Sequence, residues 1–241
     1  MERKPTLYTC LSPALLHLYN VRECIVVVID VLRATSTIAT ALYNGAKSVI
    51  PVDSVEKCIR LGRSMECITA GERDGQVAEG LQYGNSSFEY PRSFIGGKIL
   101  VLTTTNGTKL LHMALAKGAT EIITGSFLNL AAVCDHLVEE KHNVILACAG
   151  WKDRINMEDT LFAGAVIAAI GSYFNIDCDS SQMAHCLWGN AKGDLYEFMK
   201  GHNASHYHRL MNFGLERDIR HCLTPNLANV LPYYKDERLL V

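Results

Sequence analysis

The sequence has no marked excess of charge of either sign. Its 241 residues include 23 lysines and arginines against 25 aspartates and glutamates, which gives a formal net charge of −2. Proteins that bind nucleic acid or an anionic membrane usually present a basic field, so neither partner is expected here. An anionic substrate would have to be held by local charges.

The sequence also lacks the patterns of secreted and membrane proteins. Its nine cysteines include no CxxC pair, and an odd number cannot all pair within one chain. Residues 1–5 have no apolar stretch of the kind found in signal peptides. The longest apolar run, residues 161–170, is shorter than the roughly 20 residues that cross a bilayer and predicts a buried helix instead. We therefore expect a cytoplasmic protein with free thiols.

What the sequence contains is a regular alternation of short apolar runs with helical patterns. Several runs are apolar at successive positions, as in strands that are covered on both faces. The predicted strands are residues 25–29, 48–52, 67–70, 98–102, 121–124 and 143–148. The predicted helices are residues 35–43, 55–63, 107–117, 129–140 and a long helix that begins near residue 157. This order predicts a layered α/β/α fold with a largely parallel or mixed central sheet.

Two segments depart from this alternation. Residues 71–97 are polar, rich in glycine and without periodicity, which predicts a long functional loop. From about residue 177 the pattern is helical with a break at residues 201–203. The C-terminal third is therefore predicted to be helical, and it could form the surface of a homodimer. We expect one α/β domain over residues 1–241, built either as a single body or as two lobes that share one cleft.

A first polar cluster ends the apolar run at residues 25–29. Asp30 follows the run directly, Arg33 comes three residues later, and Thr35 and Ser36 open a helix. Ligands of open α/β sheets bind beyond the carboxyl ends of the strands, and the N–H groups of a helix N-terminus suit a phosphate. Arg33 could bind phosphate oxygens in a bidentate way, and Asp30 could hold a divalent cation or act on the substrate. The alternative is a helix cap beside a structural Asp–Arg pair.

A second cluster contains Glu72 and Arg73 between glycines, followed by Asn85 and Ser86. The glycines allow the backbone to approach a ligand closely. Glu72 is a candidate metal ligand, and Arg73 is a candidate to stabilise charge in the transition state. The alternative is a surface salt bridge, which contributes only ~0–1 kcal/mol.

A third cluster joins a predicted strand to a predicted helix at Thr104, Thr105, Asn106 and Gly107. Threonines are common inside strands, but a turn built from hydroxyl, amide and glycine groups exceeds what a simple helix cap needs. Such a turn presents a group of uncharged donors. We therefore predict that it binds phosphate or carboxylate.

A fourth cluster begins with Cys148 and Gly150 at a strand end and continues with Glu158 and Asp159. The two acidic residues fall in the first turn of the long helix, where the helix dipole favours them by ~0.3–1 kcal/mol in any protein. The functional hypothesis is that one of them faces the strand ends. With Asp30 it would complete an oxygen-rich Mg²⁺ site.

Two other patterns are less specific. Cys148 and Arg154 have the C-x5-R spacing of cysteine-dependent phosphatases, but Ala147 stands where a histidine usually precedes that cysteine. Three histidines near the C-terminus have no cysteine or carboxylate at the spacing of a zinc site. We expect these histidines to lie at the surface or at helix ends: His202, His206 and His208.

Taken in order, these clusters resemble the 2-phosphosulfolactate phosphatase family. The matching segments run over nearly the whole chain and are residues 30–35, 71–73, 84–86, 103–108, 148–150, 158–160, 214–215, 218–219 and 222. The resemblance implies Mg²⁺-dependent hydrolysis of the phosphate ester of a small 2-hydroxy acid, such as phosphosulfolactate on the route to coenzyme M. Ser87 stands where the family usually has proline, and residues 151–154 replace small residues. Both differences could alter the pocket for the acid groups of the substrate.

The sequence thus predicts one cleft at the strand ends. The predicted catalytic residues are Asp30, Arg33 and Arg73. The predicted substrate-binding residues are Thr35, Ser36, Asn85, Ser86, Thr104, Thr105, Asn106, Gly107, Cys148 and Gly150. The predicted Mg²⁺ ligands are Asp30, Glu72, Glu158 and Asp159.

The mechanism has open alternatives at this point. Asp30 occupies the position of the nucleophile of haloacid dehalogenases, but Leu32 replaces their second aspartate, so Asp30 could be a nucleophile or only a metal ligand. One rival is a metal-independent phosphatase that uses Cys148. Another is a protein that binds a phosphorylated metabolite without catalysis. Arg33→Ala is expected to remove most of the activity without unfolding the protein.

Overall fold

The computed structural model describes residues 4–191 and 193–241. Residues 1–3, which belong to the N-terminal segment without a signal-peptide pattern, lie outside the described residues. The strands are β1 Leu7–Cys10, β2 Cys24–Ile29, β3 Ser48–Val52, β4 Ile68–Arg73, β5 Gln76–Val77, β6 Ile99–Thr103, β7 Glu121–Gly125, β8 Asn143–Cys148, β9 Tyr233–Lys235 and β10 Arg238–Leu240. The helices are α1 Ala34–Tyr43, α2 Val55–Met65, α3 Arg92–Ile95, α4 Gly107–Ala116, α5 Leu130–Glu140, α6 Met157–Ile170, α7 Asp179–Ala191, α8 Leu195–Gly201, α9 Ser205–Asn212 and α10 Glu216–Cys222.

One mixed sheet runs through the described part of the chain in the order β1-β8-β2-β7-β9-β10-β3-β6-β4-β5. The strands β1, β8, β2 and β7 form one parallel group, and β3, β6 and β4 form another. The antiparallel hairpin of β9 and β10 lies between the two groups. The three antiparallel pairings reverse the strand direction, so each parallel group has its own carboxyl edge. The polar clusters of the sequence follow the carboxyl ends of strands in both groups.

Helices cover both faces of the sheet. Strand β2 is buried at all six positions, which explains its uninterrupted apolar sequence. Helix α6 is also buried along most of its length, between the sheet and α7. Gly164 permits this contact, because a Cβ atom there would collide with the carbonyl oxygen of Ala184. Within residues 4–191 and 193–241, no helix is both long and apolar enough to span a membrane.

The predicted α/β fold is confirmed, and each predicted strand and helix is present with shifts of a few residues at its ends. The long loop predicted at residues 71–97 is wrong in part, since this segment holds the end of β4, strand β5 and helix α3. The helical C-terminal third is confirmed up to α10, but the chain then forms β9 and β10. The division into one body or two lobes stays a prediction.

The C-terminal hairpin offers a test of how the two parallel groups are held together. Leu239 of β10 is fully buried and pairs with Val49 of β3. We expect Leu239→Ala to lower the free energy of unfolding by about 2–5 kcal/mol, because it removes a buried side chain and leaves a cavity. Urea unfolding would measure this. Val241→Ala, at a position that is 59% exposed, is the control, and equal stability of the two variants would contradict the prediction.

Candidate active site

A narrow cleft opens at the carboxyl ends of strands, between the turns that follow β2, β4, β6 and β8. Six residues of its lining were predicted from the sequence: Asp30, Arg33, Glu72, Asn85, Thr105 and Asn106. Six others were not: Leu32, Gly75, Trp151, His206, Arg209 and Leu210. The structure therefore brings together residues of the first three predicted clusters and adds residues from α9. The predicted residues of the fourth cluster are not in this lining: Cys148, Gly150, Glu158 and Asp159.

Asp30 lies where β2 turns into α1. Its backbone N–H donates to Thr35 Oγ1 at 3.2 Å, its carbonyl accepts from the Thr35 N–H at 2.9 Å, and Ser36 Oγ donates to the Val31 carbonyl at 2.8 Å. Thr35 and Ser36, both buried, thus use their hydroxyls to fix the turn that carries Asp30. Burial raises the pKa of Asp30 to about 6, with His206 acting to lower it and the nearby carboxylates to raise it.

Gly107 allows the turn after β6 to approach Asp30. A Cβ atom at this position would lie 2.7 Å from Asp30 Oδ2. Beside it, Asn106 lines the cleft, and its Oδ1 accepts from the Lys152 N–H at 3.2 Å. The predicted role of Gly107 in binding stays a prediction, but its lack of a side chain is what lets the two turns meet.

Arg33 and Glu72 are fixed by hydrogen bonds at the cleft wall. Arg33 is buried; its Nη1 donates to Asp218 Oδ1 at 3.1 Å and its Nη2 to the Gly75 carbonyl at 3.2 Å. Glu72 Oε1 accepts from the Thr105 N–H at 2.8 Å, and Oε2 accepts from the Gly75 N–H at 2.9 Å. Glu72 therefore ties the turn after β6 to the turn after β4.

Asp159 connects the turns after β2 and β8. Its Oδ1 accepts from the Val31 N–H at 2.9 Å and its Oδ2 from the Gly150 N–H at 3.0 Å. Burial, together with the charges of Glu158 and Asp30, raises the pKa of Asp159. Gly150 is required at this turn because its φ is +57° and a Cβ would collide with the Arg154 carbonyl oxygen.

His206 lies at the N-terminal end of α9, as one of the two expected placements has it, but it is buried and not at the surface. His202 and His208 are exposed, but His206 is buried, lines the cleft and contacts Glu158 Oε1 through Nδ1 at 2.5 Å. The signal that could have found it is the spacing of α9, which buries His206 and Leu210 on one face. No cysteine or zinc spacing marks this position.

Arg73 and Thr104 are not among the residues that line this cleft. They line a neighbouring, more open cavity with Lys109 and His112, and Thr105 borders both spaces. Arg73 Nη1 donates to the Glu72 carbonyl at 2.7 Å and Nη2 to Thr103 Oγ1 at 3.1 Å. The catalytic role of Arg73 stays a prediction, and in this structure its guanidinium is directed to backbone and hydroxyl oxygens.

Two further predicted residues have local contacts. Ser86 caps a short 3₁₀ turn, with Oγ accepting from the Phe88 N–H at 3.3 Å and Glu89 completing the capping box. Cys148 is fully buried, and burial raises the pKa of its thiol well above the ordinary value. A catalytic cysteine needs an accessible thiolate, so this environment does not favour the cysteine mechanism.

The residues present fit Mg²⁺ by the chemistry of their donors. Within residues 4–191 and 193–241, no group of three or more His, Cys, Asp or Glu side chains forms a ready metal site. Mg²⁺, however, often takes only one or two carboxylates and completes its shell with water and phosphate. Among the residues that the structure describes, the Asp30 carboxylate accepts only a long 3.5 Å contact from the Ala34 N–H, and Glu158 Oε2 is buried without a partner. These oxygens remain available to a cation.

Unpaired polar atoms also indicate that the cleft binds a ligand. Asn85 Oδ1 and Thr105 Oγ1 are buried and have no hydrogen-bond partner among the described residues. Buried polar atoms are nearly always paired, so unpaired ones call for an explanation. Both residues line the cleft, where a substrate could supply the partners.

The fold and the cleft together define an α/β enzyme whose site combines carboxylates with guanidinium groups at the strand ends. The family model described as 2-phosphosulpholactate phosphatase matches residues 10–237. The chain therefore belongs to the 2-phosphosulfolactate phosphatase family, as the resemblance in its sequence implied.

Individual relatives agree with this family. The chain is similar to a probable 2-phosphosulfolactate phosphatase of Caldanaerobacter subterraneus subsp. tengcongensis, with 38% identity over 221 residues that cover 90% of each chain. A protein of the same name from Thermotoga petrophila is 41% identical over 206 residues, covering 86% of this chain and 87% of the relative. One from Clostridium perfringens strain SM101 is 36% identical over 218 residues, covering 88% and 86%.

Proposed function

We propose that this protein is a Mg²⁺-dependent phosphatase that hydrolyses the phosphate ester of a small 2-hydroxy acid, with 2-phosphosulfolactate as the first candidate. The observation that carries the proposal is the composition of the cleft, where Asp30 and Glu72 face the same space as Arg33 and Arg209. An anion-binding site alone would have no use for carboxylates. A phosphatase uses them for a cation that neutralises phosphoryl oxygens.

Each group has a role that follows from its position. Bound Mg²⁺ would neutralise charge on the phosphoryl oxygens and favour ionisation of water. Asp30 would hold it, with Glu72 or Glu158 as the second carboxylate. Arg33 would orient the phosphate with its remaining N–H groups, since Asp218 and the Gly75 carbonyl already fix its plane.

Release of inorganic phosphate tests this proposal. The assay would compare phosphosulfolactate, phospholactate and phosphoglycerate with a phosphorylated sugar, each in Mg²⁺ and in EDTA. Release that requires Mg²⁺ and strongly favours the acids is the expected result, and phosphosulfolactate as the best substrate would point to the route to coenzyme M. Equal release from the sugar phosphate would refute the substrate class, and release that persists in EDTA would refute the metal requirement.

Cys148→Ala separates the proposed mechanism from the cysteine mechanism. Because the thiol is buried and its pKa is raised, we expect the variant to keep phosphate release within about threefold of the unmodified protein. Treatment of the unmodified protein with iodoacetamide, followed by mass spectrometry at Cys148, provides the accompanying control. Loss of turnover by 10³-fold or more in a folded variant would instead support covalent catalysis by the cysteine.

We also propose that the protein acts in the cytoplasm. All nine cysteines are free thiols in the structure. A reducing compartment maintains free thiols, whereas an oxidising one favours disulfides. Fractionation of cells that express the full chain would test this location.

A further inference from the structure

Arg209 differs from the other arginine of the cleft in having its donors free. It lies on α9 and lines the cleft, yet its side chain makes no hydrogen bond or salt bridge within residues 4–191 and 193–241. Arg33, in contrast, is bound to Asp218 and to the Gly75 carbonyl. A guanidinium carries five N–H donors in a planar fork, so the donors of Arg209 are available to a ligand in the cleft.

The side chain of Arg209 is nevertheless held in place by an aromatic ring. Its Cζ lies 4.0 Å from the centre of the Trp151 ring, and Lys152 Nζ lies 4.5 Å from the centre of the same ring. Trp151 and Arg154 exchange two backbone hydrogen bonds of 3.0 Å, which closes the loop into a tight hairpin. Lys152 Nζ also reaches Asp74 Oδ1 at 3.4 Å, connecting this loop to the turn after β4.

Stacking on Trp151 prepares the guanidinium to bind a planar or three-oxygen acid group. An arginine that stacks on an aromatic ring keeps the edge of its fork open, and that edge matches two oxygens of a carboxylate or sulfonate. The ring also shields one face from water, which strengthens hydrogen bonds to a bound anion. The loop of residues 151–154 is the segment in which this chain carries large residues instead of small ones.

We propose that Arg209, held against Trp151, binds a carboxylate or sulfonate group of the substrate and not its phosphate. The pair would thereby select phosphorylated acids over phosphate esters of neutral alcohols. This inference rests on the proposed function, in which the phosphate lies at the turns that carry Asp30 and Arg33. Arg209 lines the same cleft from a different element, α9, and stacks on Trp151. It is therefore the guanidinium available to a second acid group of the substrate.

Kinetics on two substrates test the proposal. Arg209→Gln should lower kcat/KM for phospholactate by about 10- to 100-fold, mainly through KM, and leave kcat/KM for propyl phosphate within about twofold. Arg209→Lys should fall between, because it keeps the charge but loses the fork. The matched control is Arg220→Gln. This exposed arginine also stacks on a ring, that of Tyr196, and it lies outside the lining of the cleft.

Trp151→Ala provides a second variant in which Arg209 is intact but has lost its support. Like Arg209→Gln, it should reduce the preference for phospholactate over propyl phosphate. Thermal unfolding would verify that both variants fold. Equal loss on both substrates would overturn the proposal, because Arg209 would then bind the phosphate. Unchanged kinetics on both would also overturn it.

A binding measurement keeps this inference separate from the proposed function. Calorimetric titration with sulfolactate, which carries the acid groups but no phosphate, needs no turnover. Weaker binding to Arg209→Gln than to the unmodified protein would support the acid subsite even if neither protein released phosphate. Equal binding to both would overturn the subsite, whatever the activity of the enzyme.

Discussion

Asp30→Asn should abolish phosphate release while leaving the protein folded. Asparagine has nearly the same shape but cannot supply the charge that a divalent cation requires, so we expect a loss on the order of 10³-fold in kcat or more. The buried side chain has a 3.5 Å contact with the Ala34 N–H and lies close to Gly107. Asparagine can keep both contacts, so the variant should fold. Phosphate release under saturating Mg²⁺ is the measurement.

For the same variant we expect no loss of stability, in contrast to the loss of activity. The pKa of Asp30 is about 6 in the folded protein, above its ordinary value of 3.8, because burial disfavours the charged form. A carboxyl group with a raised folded pKa destabilises the fold increasingly as pH rises from its unfolded pKa to its folded pKa. At pH 7 and without metal, Asp30→Asn should therefore unfold at the same temperature as the unmodified protein or higher. A lower unfolding temperature would mean that Asp30 has a structural role.

The raised pKa also sets the pH dependence of metal binding. Protons and Mg²⁺ compete for the Asp30 carboxylate, so Mg²⁺ affinity should fall as pH is lowered through about 6. Titration calorimetry at several pH values would show this fall in the unmodified protein. Asp30→Asn should bind Mg²⁺ weakly at every pH. A pH-independent affinity would remove Asp30 from the set of metal ligands.

The sequence predicts the fold well because its strongest signals are local. The apolar run of β2 and the helix that follows it are visible in the order of residues, and parallel strands bring their carboxyl ends to one edge. That rule gathers the residues within each parallel group, but three antiparallel pairings reverse the strand direction between the groups. The meeting of Asp30 with Glu72 and Asn106 at one cleft therefore depends on the three-dimensional path of the chain. Strands β9 and β10 were missed because each has three residues, and their pairing with β7 and β3 depends on contacts distant in sequence.

The sequence could not predict the wall of the cleft that α9 supplies. His206 and Arg209 belong to a short helix with no motif, and only the three-dimensional path of the chain brings them opposite Asp30. Arg73 shows the converse, because it is adjacent to Glu72 but its side chain lies in the neighbouring cavity. Adjacent residues of a strand point to opposite faces of the sheet, so two neighbours in the sequence do not line the same space.

Replacing Arg33 should cost stability as well as activity, whereas the sequence alone predicts a loss of activity only. Sequence reasoning predicts that removing Arg33 costs activity without unfolding the protein. In the structure Arg33 and Asp218 form a buried ion pair, with 6% and 9% of their side chains exposed. Removing one partner of such a pair leaves the other charge buried and typically costs about 3–5 kcal/mol. Arg33→Met should therefore lose stability as well as phosphate release.

A double variant separates these two losses. Replacing a buried ion pair with apolar residues of similar volume is often neutral, so adding Asp218→Leu to Arg33→Met should restore most of the free energy of unfolding. Phosphate release should remain reduced by about 10²- to 10³-fold, because the guanidinium proposed to orient the phosphate is lost with Arg33. Urea unfolding and phosphate release on the same preparations provide both measurements. If the double variant regained turnover along with stability, Arg33 would serve only to hold α10 against the turn after β2.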